Sequence, residues 1–159
     1  MENPTRYRIT ASRRVAAPAS RVYDIIADYR DGHPSILPRA FRNLQVDEGG
    51  RGAGTRFHMD VHAFGRTDIM RAAVTEPQPG RVLVEQDLDR PTVTTFTVER
   101  GAHDGEAIVT FDTVLESRSG VLGAVERWVS TAFLRRAYRE ELGNLDRIAR
   151  NARIDDSWR

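Results

Sequence analysis

The amino-acid sequence predicts an α+β domain in which one curved antiparallel sheet is covered by one long C-terminal helix. Three observations carry this reading. From Gly120 to Arg153 the chain keeps helical periodicity for about nine turns. Seven strand-like stretches precede that helix, and the separators between the last six are short enough to be hairpin turns. Strands in an unbroken run, with helices gathered at the two ends of the chain, indicate α+β rather than alternating architecture.

The elements follow in order. Tyr7 to Val15 alternates and is rich in β-favouring residues, so it reads as the first strand. Ala17-Pro18 opens a helix, with proline near the first turn, where its missing N–H costs nothing. Val22, Tyr23, Ile25, Ile26 and Tyr29 give this helix one apolar face, and Asp31-Gly32 ends it. His33-Pro34-Ser35-Ile36-Leu37-Pro38 is bracketed by prolines and admits only a short helical turn or an adjustable loop. Six strands are then expected at Phe41 to Asp47, Thr55 to Phe64, Arg66 to Glu76, Arg81 to Leu88, Thr92 to Arg100 and Glu106 to Glu116. Glycine, proline and aspartate supply the turns between them. Along the last helix Val121, Val125, Trp128, Ala132, Arg135, Tyr138, Leu142, Leu145, Ala149 and Ala152 recur at spacings of three and four, an apolar stripe that Arg135 interrupts.

A chain of 159 residues fits a single domain, 1–159, with its core at about 7–150. With no cysteine, disulfides, thiol catalysis and thiolate metal sites are excluded. The net charge is +1 and the basic residues, all arginine, are scattered among 23 acids, so there is no electrostatic case for nucleic acid. No apolar run reaches the roughly 20 residues that span a bilayer, and the start MENPTRYRIT lacks a signal-peptide core. The expectation is a cytoplasmic protein without stable membrane insertion, a monomer or weak homodimer.

The order of strand, two short helices, six meandering strands and one long helix resembles the START/Bet v 1-like (SRPBCC) superfamily, in particular its bacterial polyketide cyclase/dehydrase branch. Local wording carries the resemblance: Val15-Ala16-Ala17-Pro18-Ala19 before the first helix, Asp28-Tyr29 at its end, Gly52-Ala53-Gly54-Thr55, Val74-Thr75-Glu76-Pro77, and Glu141-Leu142-Gly143-Asn144-Leu145. The resemblance implies a helix-grip fold, in which a curved seven-stranded antiparallel sheet wraps the last helix and encloses a cavity. It also implies an apolar or amphipathic ligand such as a lipid, polyketide or quinone, without deciding between carrier, sensor and enzyme.

Strand alternation nominates the cavity wall. With Phe57, Met59 and Val61 inward, Met70 and Ala72, then Leu83 or Val84 (Val84 being taken), then Phe96 and Val98 follow on the same side. Tyr29, Ile36, Trp128, Ala132, Arg135 and Tyr138 complete the expected ligand contacts. An inward Arg135 needs a carboxylate or a ligand oxygen; the alternative is that the helix turns it to solvent. His33 has two readings, an acid–base group or an exposed loop histidine, the second being the plainer. An enzyme would need His33, Arg135 and Tyr138 to converge on one point. The third reading is an interaction or quinone-escort module that uses Trp128 or Trp158 as a contact surface.

Two features invite and then lose a stronger reading. His58, Asp60 and His62 look like metal ligands, but alternate residues stand about 6.6 Å apart and the outer two about 13 Å apart, so they read as an outer face. Gly49 to Gly54 has no GK[ST] ending and joins strand to strand, so it reads as a flexible hairpin rather than a phosphate loop. Neither a metal nor a cofactor is expected.

Overall fold

The computed structural model describes residues 3–156. Trp158 lies outside the described residues, as does the side chain of Ala152. Strand β1 (Thr5–Val15) is followed by two short helices, α1 (Ala19–Ala27) and α2 (Gly32–Ile36). Then come β2 (Phe41–Glu48), β3 (Arg56–Ala63), β4 (Arg66–Gln78), β5 (Val82–Asp87), β6 (Val93–Arg100) and β7 (Ala107–Ser117), and last α3 (Gly120–Asp156). All strand pairs are antiparallel, in the order β1-β7-β6-β5-β4-β3-β2. The expected meander is therefore present, and β1 adds beside β7.

Two features bend this sheet. Register shifts lie between β2 and β3 and between Thr75 and Gln78 of β4, and such bulges sharpen strand twist. The β3–β4 hairpin turns on Phe64 and Gly65, both at positive φ (54° and 73°), the backbone signature of the tight turn that matches strand twist. On the concave side Ile9, Phe57, Ala72, Leu83, Val98 and Phe111 pack against Val22 and Ile26 of α1, Ile36 of α2, and Leu142, Leu145 and Ala149 of α3. Burying each large side chain contributes roughly 1.5–3 kcal/mol.

The long helix grips the sheet with only its second half. Tyr138, Glu141, Leu142, Leu145 and Ala149 are buried, whereas Val121, Val125 and Trp128 are 82%, 55% and 73% exposed; Ala132 and Arg135 are exposed too. The stripe predicted for the whole helix is thus corrected, for a geometric reason. A repeat averaging 3.5 residues drifts about 20° per heptad around a straight helix. A stripe in phase at Leu142 and Leu145 has therefore walked off the sheet by Trp128. Ser130, Phe133 and Leu134 replace it on the inward side, and the departing helix leaves a cavity behind it.

The glycine-rich connection between β2 and β3 is pinned, which corrects its reading as a flexible hairpin. Tyr29 N donates to Gly50 O at 2.9 Å and Gly52 N to Ala27 O at 2.9 Å. Ala53 N donates to Glu76 Oε2 at 2.9 Å, and the Tyr23 hydroxyl donates to Glu76 Oε1 at 2.6 Å. Gly52, at φ +56°, leaves no space for a side chain: a Cβ there would lie 2.3 Å from Glu76 Oε2. The loop anchors the end of α1, which sets where Tyr29 and α2 lie.

Candidate functional site

Helix α2 carries the central residue, and Asp28 builds α2's start. Its carboxylate accepts the backbone N–H groups of Arg30 (3.1 Å), Asp31 (3.3 Å) and Gly32 (3.2 Å). Burial opposes ionisation of this carboxyl, but the three N–H groups outweigh it and hold Asp28 below the usual carboxylate range. The cap turns His33 inward, where it is 2% exposed, so the exposed-loop reading of His33 is corrected. Asn144 of α3 donates to Ile36 O at 3.1 Å and fastens the other end of α2.

The His33 Nδ1 lies 2.7 Å from the carbonyl oxygen of Ile26. A carbonyl only accepts, so Nδ1 carries a proton and Nε2 is the atom left for the cavity. Nε2 stands 3.6 Å from Glu85 Oε1 and 3.8 Å from Glu141 Oε1. Glu85 is 5% exposed and Glu141 3%. Tyr29 stacks on the imidazole with ring centroids 4.6 Å apart and donates its hydroxyl to Glu85 Oε1 at 2.6 Å.

Nε2 and the two carboxyl groups thus stand close together, at separations longer than a direct hydrogen bond. Low-dielectric surroundings disfavour charge on both carboxyl groups. The directions agree. Burial pushes Glu141 well above its ordinary value, and the charge of Glu85 adds to that. Burial also raises Glu85, but His33 and the Tyr29 hydroxyl pull it back.

These groups close the inner end of a cavity of about 670 Å³ between the sheet and α3. Met59, Val61, Met70, Phe96, Phe133, Leu134 and Leu115 supply its apolar wall. Its exposed lining residues, among them Phe64, Arg66, Arg90, Pro91 and Glu126, mark where it meets solvent. A second polar line faces the same space: the Tyr138 hydroxyl bonds Thr113 Oγ1, which in turn bonds Thr94 Oγ1 at 2.9 Å. Burial pushes the Tyr138 phenol up to about 12 against the pull of those hydroxyls. A second recess of about 690 Å³ is an outer groove between Pro34–Leu44 and α3, whose one acid, Glu140, already accepts Arg39 N at 3.0 Å.

The structure divides the sequence-derived candidates into three groups. His33, Met59, Val61, Met70, Phe96 and Tyr138 line the cavity. Tyr29, Ile36, Phe57, Ala72 and Val98 are buried in the packed core beside it. Val84, Trp128, Ala132 and Arg135 face away and are corrected. Val84 is half-buried on the far side of β5 because Leu83 is the inward residue, and alternation then brings Glu85 and Asp87 inward as well. Arg135 lies in an outer recess with Arg13 and Arg139, so it does not converge with His33 and Tyr138.

Glu85 and Glu141 were not singled out from the sequence. The signal for Glu85 was its i+2 phase with Leu83; the signal for Glu141 was its place three residues after Tyr138 on one helix face. The outward pattern of β3 is as expected: His58 pairs with Asp47 (2.9 Å), Asp60 accepts Asn43 (2.8 Å), and His62 meets Thr67 (3.0 Å). Among the described residues no three His, Asp or Glu side chains are grouped to hold a metal ion, and no helix is long and apolar enough to cross a membrane.

Comparison with known proteins agrees with this architecture. No match is found among curated proteins. Among solved structures, the KanY protein is 27% identical with a TM-score of 0.80, over 92% of this chain and 99% of that one. The Zhui aromatase/cyclase from Streptomyces sp. R1128 is 16% identical with a TM-score of 0.76, over 92% and 94% of the two chains. A START superfamily protein from Mycobacterium smegmatis is 16% identical with a TM-score of 0.71, over 89% and 98%. The model of the family described as polyketide cyclase / dehydrase and lipid transport matches residues 6–150. With the helix-grip fold and that match, the chain belongs to the polyketide cyclase/dehydrase and lipid transport family, within the START/Bet v 1-like superfamily.

Proposed function

We propose that the cavity receives a small, mostly apolar molecule with one polar end, and that the chain works as its carrier or sensor. The observation that carries this reading is the pairing of an apolar wall with a buried polar end formed by His33, Glu85 and Glu141. Pockets of that composition hold their ligands by apolar burial and orient them by a few polar groups. Burying about 300 Å² of apolar ligand surface gives roughly 7 kcal/mol before ordering costs. The test is native mass spectrometry of freshly purified protein, followed by solvent extraction. A reproducible adduct of small-molecule mass supports the reading; a clean apo mass, with no thermal shift across sterols, fatty acids, quinones and polyketides, refutes it.

A second reading, a cyclase- or aromatase-like enzyme, is favoured by one observation: an imidazole and two buried carboxyl groups meet at the cavity's inner end. A protonated Glu141 would polarise a ligand carbonyl while the His33–Glu85 pair accepts a proton from the adjacent carbon. Turnover of a poly-β-ketone substrate that Glu141→Gln abolishes, with binding retained, would establish it. Binding with no turnover would leave the carrier reading.

A further inference from the structure

Resting on the reading of the cavity as a ligand site, we infer that the polar end of its ligand is a protonated amine, held by the carboxylate of Glu141. Six acids line the cavity. Asp68 is exposed to solvent, Glu116 is paired with Arg6 at 3.2 Å and Glu126 with Arg118 at 3.5 Å. Asp87 accepts the backbone N–H groups of Asp89 (2.8 Å) and Arg90 (3.0 Å). Glu85 has the Tyr29 hydroxyl and His33. Glu141 accepts no hydrogen bond from any described residue; its one polar neighbour of opposite charge is the imidazole, 3.8 Å away and shared with Glu85.

The inner end therefore holds two carboxyl groups and one imidazole. A buried carboxyl so placed has two ways to avoid an uncompensated charge: it keeps its proton, or it receives a cation. An amine entering the cavity supplies that cation and donates the hydrogen bonds Glu141 lacks, while a hydroxyl supplies no charge. Phe96 and Tyr138 share the lining with Glu141, and aromatic rings attract cations.

The charge exchange gives the inference a distinctive readout. The groups facing Glu141 are Glu85 on β5, His33 on α2, Tyr29 after α1 and Tyr138 on its own helix. Both tyrosines are pushed upward and stay neutral near pH 7, and Glu141, pushed well above its ordinary value by burial and by Glu85, is the group that gives up a proton to an entering amine. An alkylamine remains charged until about pH 10. Its binding should therefore release about one proton, and its affinity should rise with pH until free Glu141 is ionised.

The experiment is calorimetric titration with 4-phenylbutylamine and with 4-phenylbutan-1-ol, each in two buffers of different ionisation enthalpy at pH 7. The expected result is that the amine binds at least about tenfold tighter than the alcohol, with release of about one proton. Glu141→Gln should bring the two ligands within about threefold and remove the proton release. Alcohol binding as tight as amine binding would overturn the amine assignment and leave the cavity as a ligand site. Binding of neither, together with a clean apo mass, would overturn both. The wild-type comparison decides the matter even if the variant does not fold.

Discussion

The hydroxyl of Tyr29, at the end of the first helix, donates to Glu85 Oε1 of the sheet at 2.6 Å, and both residues are buried. This bond joins the anchored loop, the imidazole stacked on Tyr29, and the two buried acids into one unit. Tyr29→Phe removes the donor and leaves a buried carboxylate short of one partner. We expect a loss of about 1–3 kcal/mol in urea denaturation at neutral pH. A change below about 0.5 kcal/mol would mean that the bond does not organise the site.

The two raised carboxyl groups set a pH dependence with a definite sign. Glu85 and Glu141 have folded-state values above the ordinary carboxyl value, so the native state binds more protons than the unfolded one. The stability they contribute is complete below about pH 4.3 and is lost as pH rises through their raised values. Asp28, held low, acts in the opposite sense: its contribution is lost on acidification. Glu141→Gln should therefore gain on the wild type progressively from pH 5 to pH 8, by up to about 1.4 kcal/mol per pH unit. A constant offset between the two denaturation series across that range would contradict the assignment.

Arg135 is exposed on the outer side of α3. Arg135→Ala should leave stability within about 0.5 kcal/mol and ligand affinity unchanged. Loss of binding in that variant, measured by the same titration used for the cavity, would mean that the helix face is wrongly assigned.

The anchored loop separates a steric effect from a conformational one. Gly52 and Gly80 both have positive φ (56° and 84°), but only Gly52 has atoms within reach of an added Cβ, those of Glu76. Gly80→Ala should cost about 1–2 kcal/mol from backbone strain alone. Gly52→Ala should cost more, because it also displaces the carboxylate that holds Ala53 and Tyr23. Equal thermal shifts in the two variants would show that the loop yields freely.

The strands were legible because alternation and turn residues act locally: β6 buries Thr94, Phe96 and Val98, and β7 buries Ala107, Val109, Phe111 and Thr113, as their sequences read. The long helix was legible as a helix but not in its facing. Its stripe follows a spacing that drifts, and no local signal says where the helix leaves the sheet. The site was half legible. Met59, Met70 and Phe96 follow from strand phase, but His33 sits inside because Asp28 holds the backbone N–H groups that lead into a five-residue helix and Asn144 fastens its other end, a tertiary arrangement with no periodic trace. Glu85 and Glu141 gain their role only where β5 and α3 converge on His33.

The central claim is that the space between sheet and helix is a ligand site, and the methionines test it most directly. The chain has three methionines, and two of them, Met59 and Met70, line the cavity. With their methyl groups labelled with carbon-13, titration with 4-phenylbutylamine and 4-phenylbutan-1-ol should move both resonances saturably for whichever ligand binds, along one isotherm. Resonances of Met59 and Met70 that stay fixed while either ligand binds would place that ligand elsewhere and contradict the account.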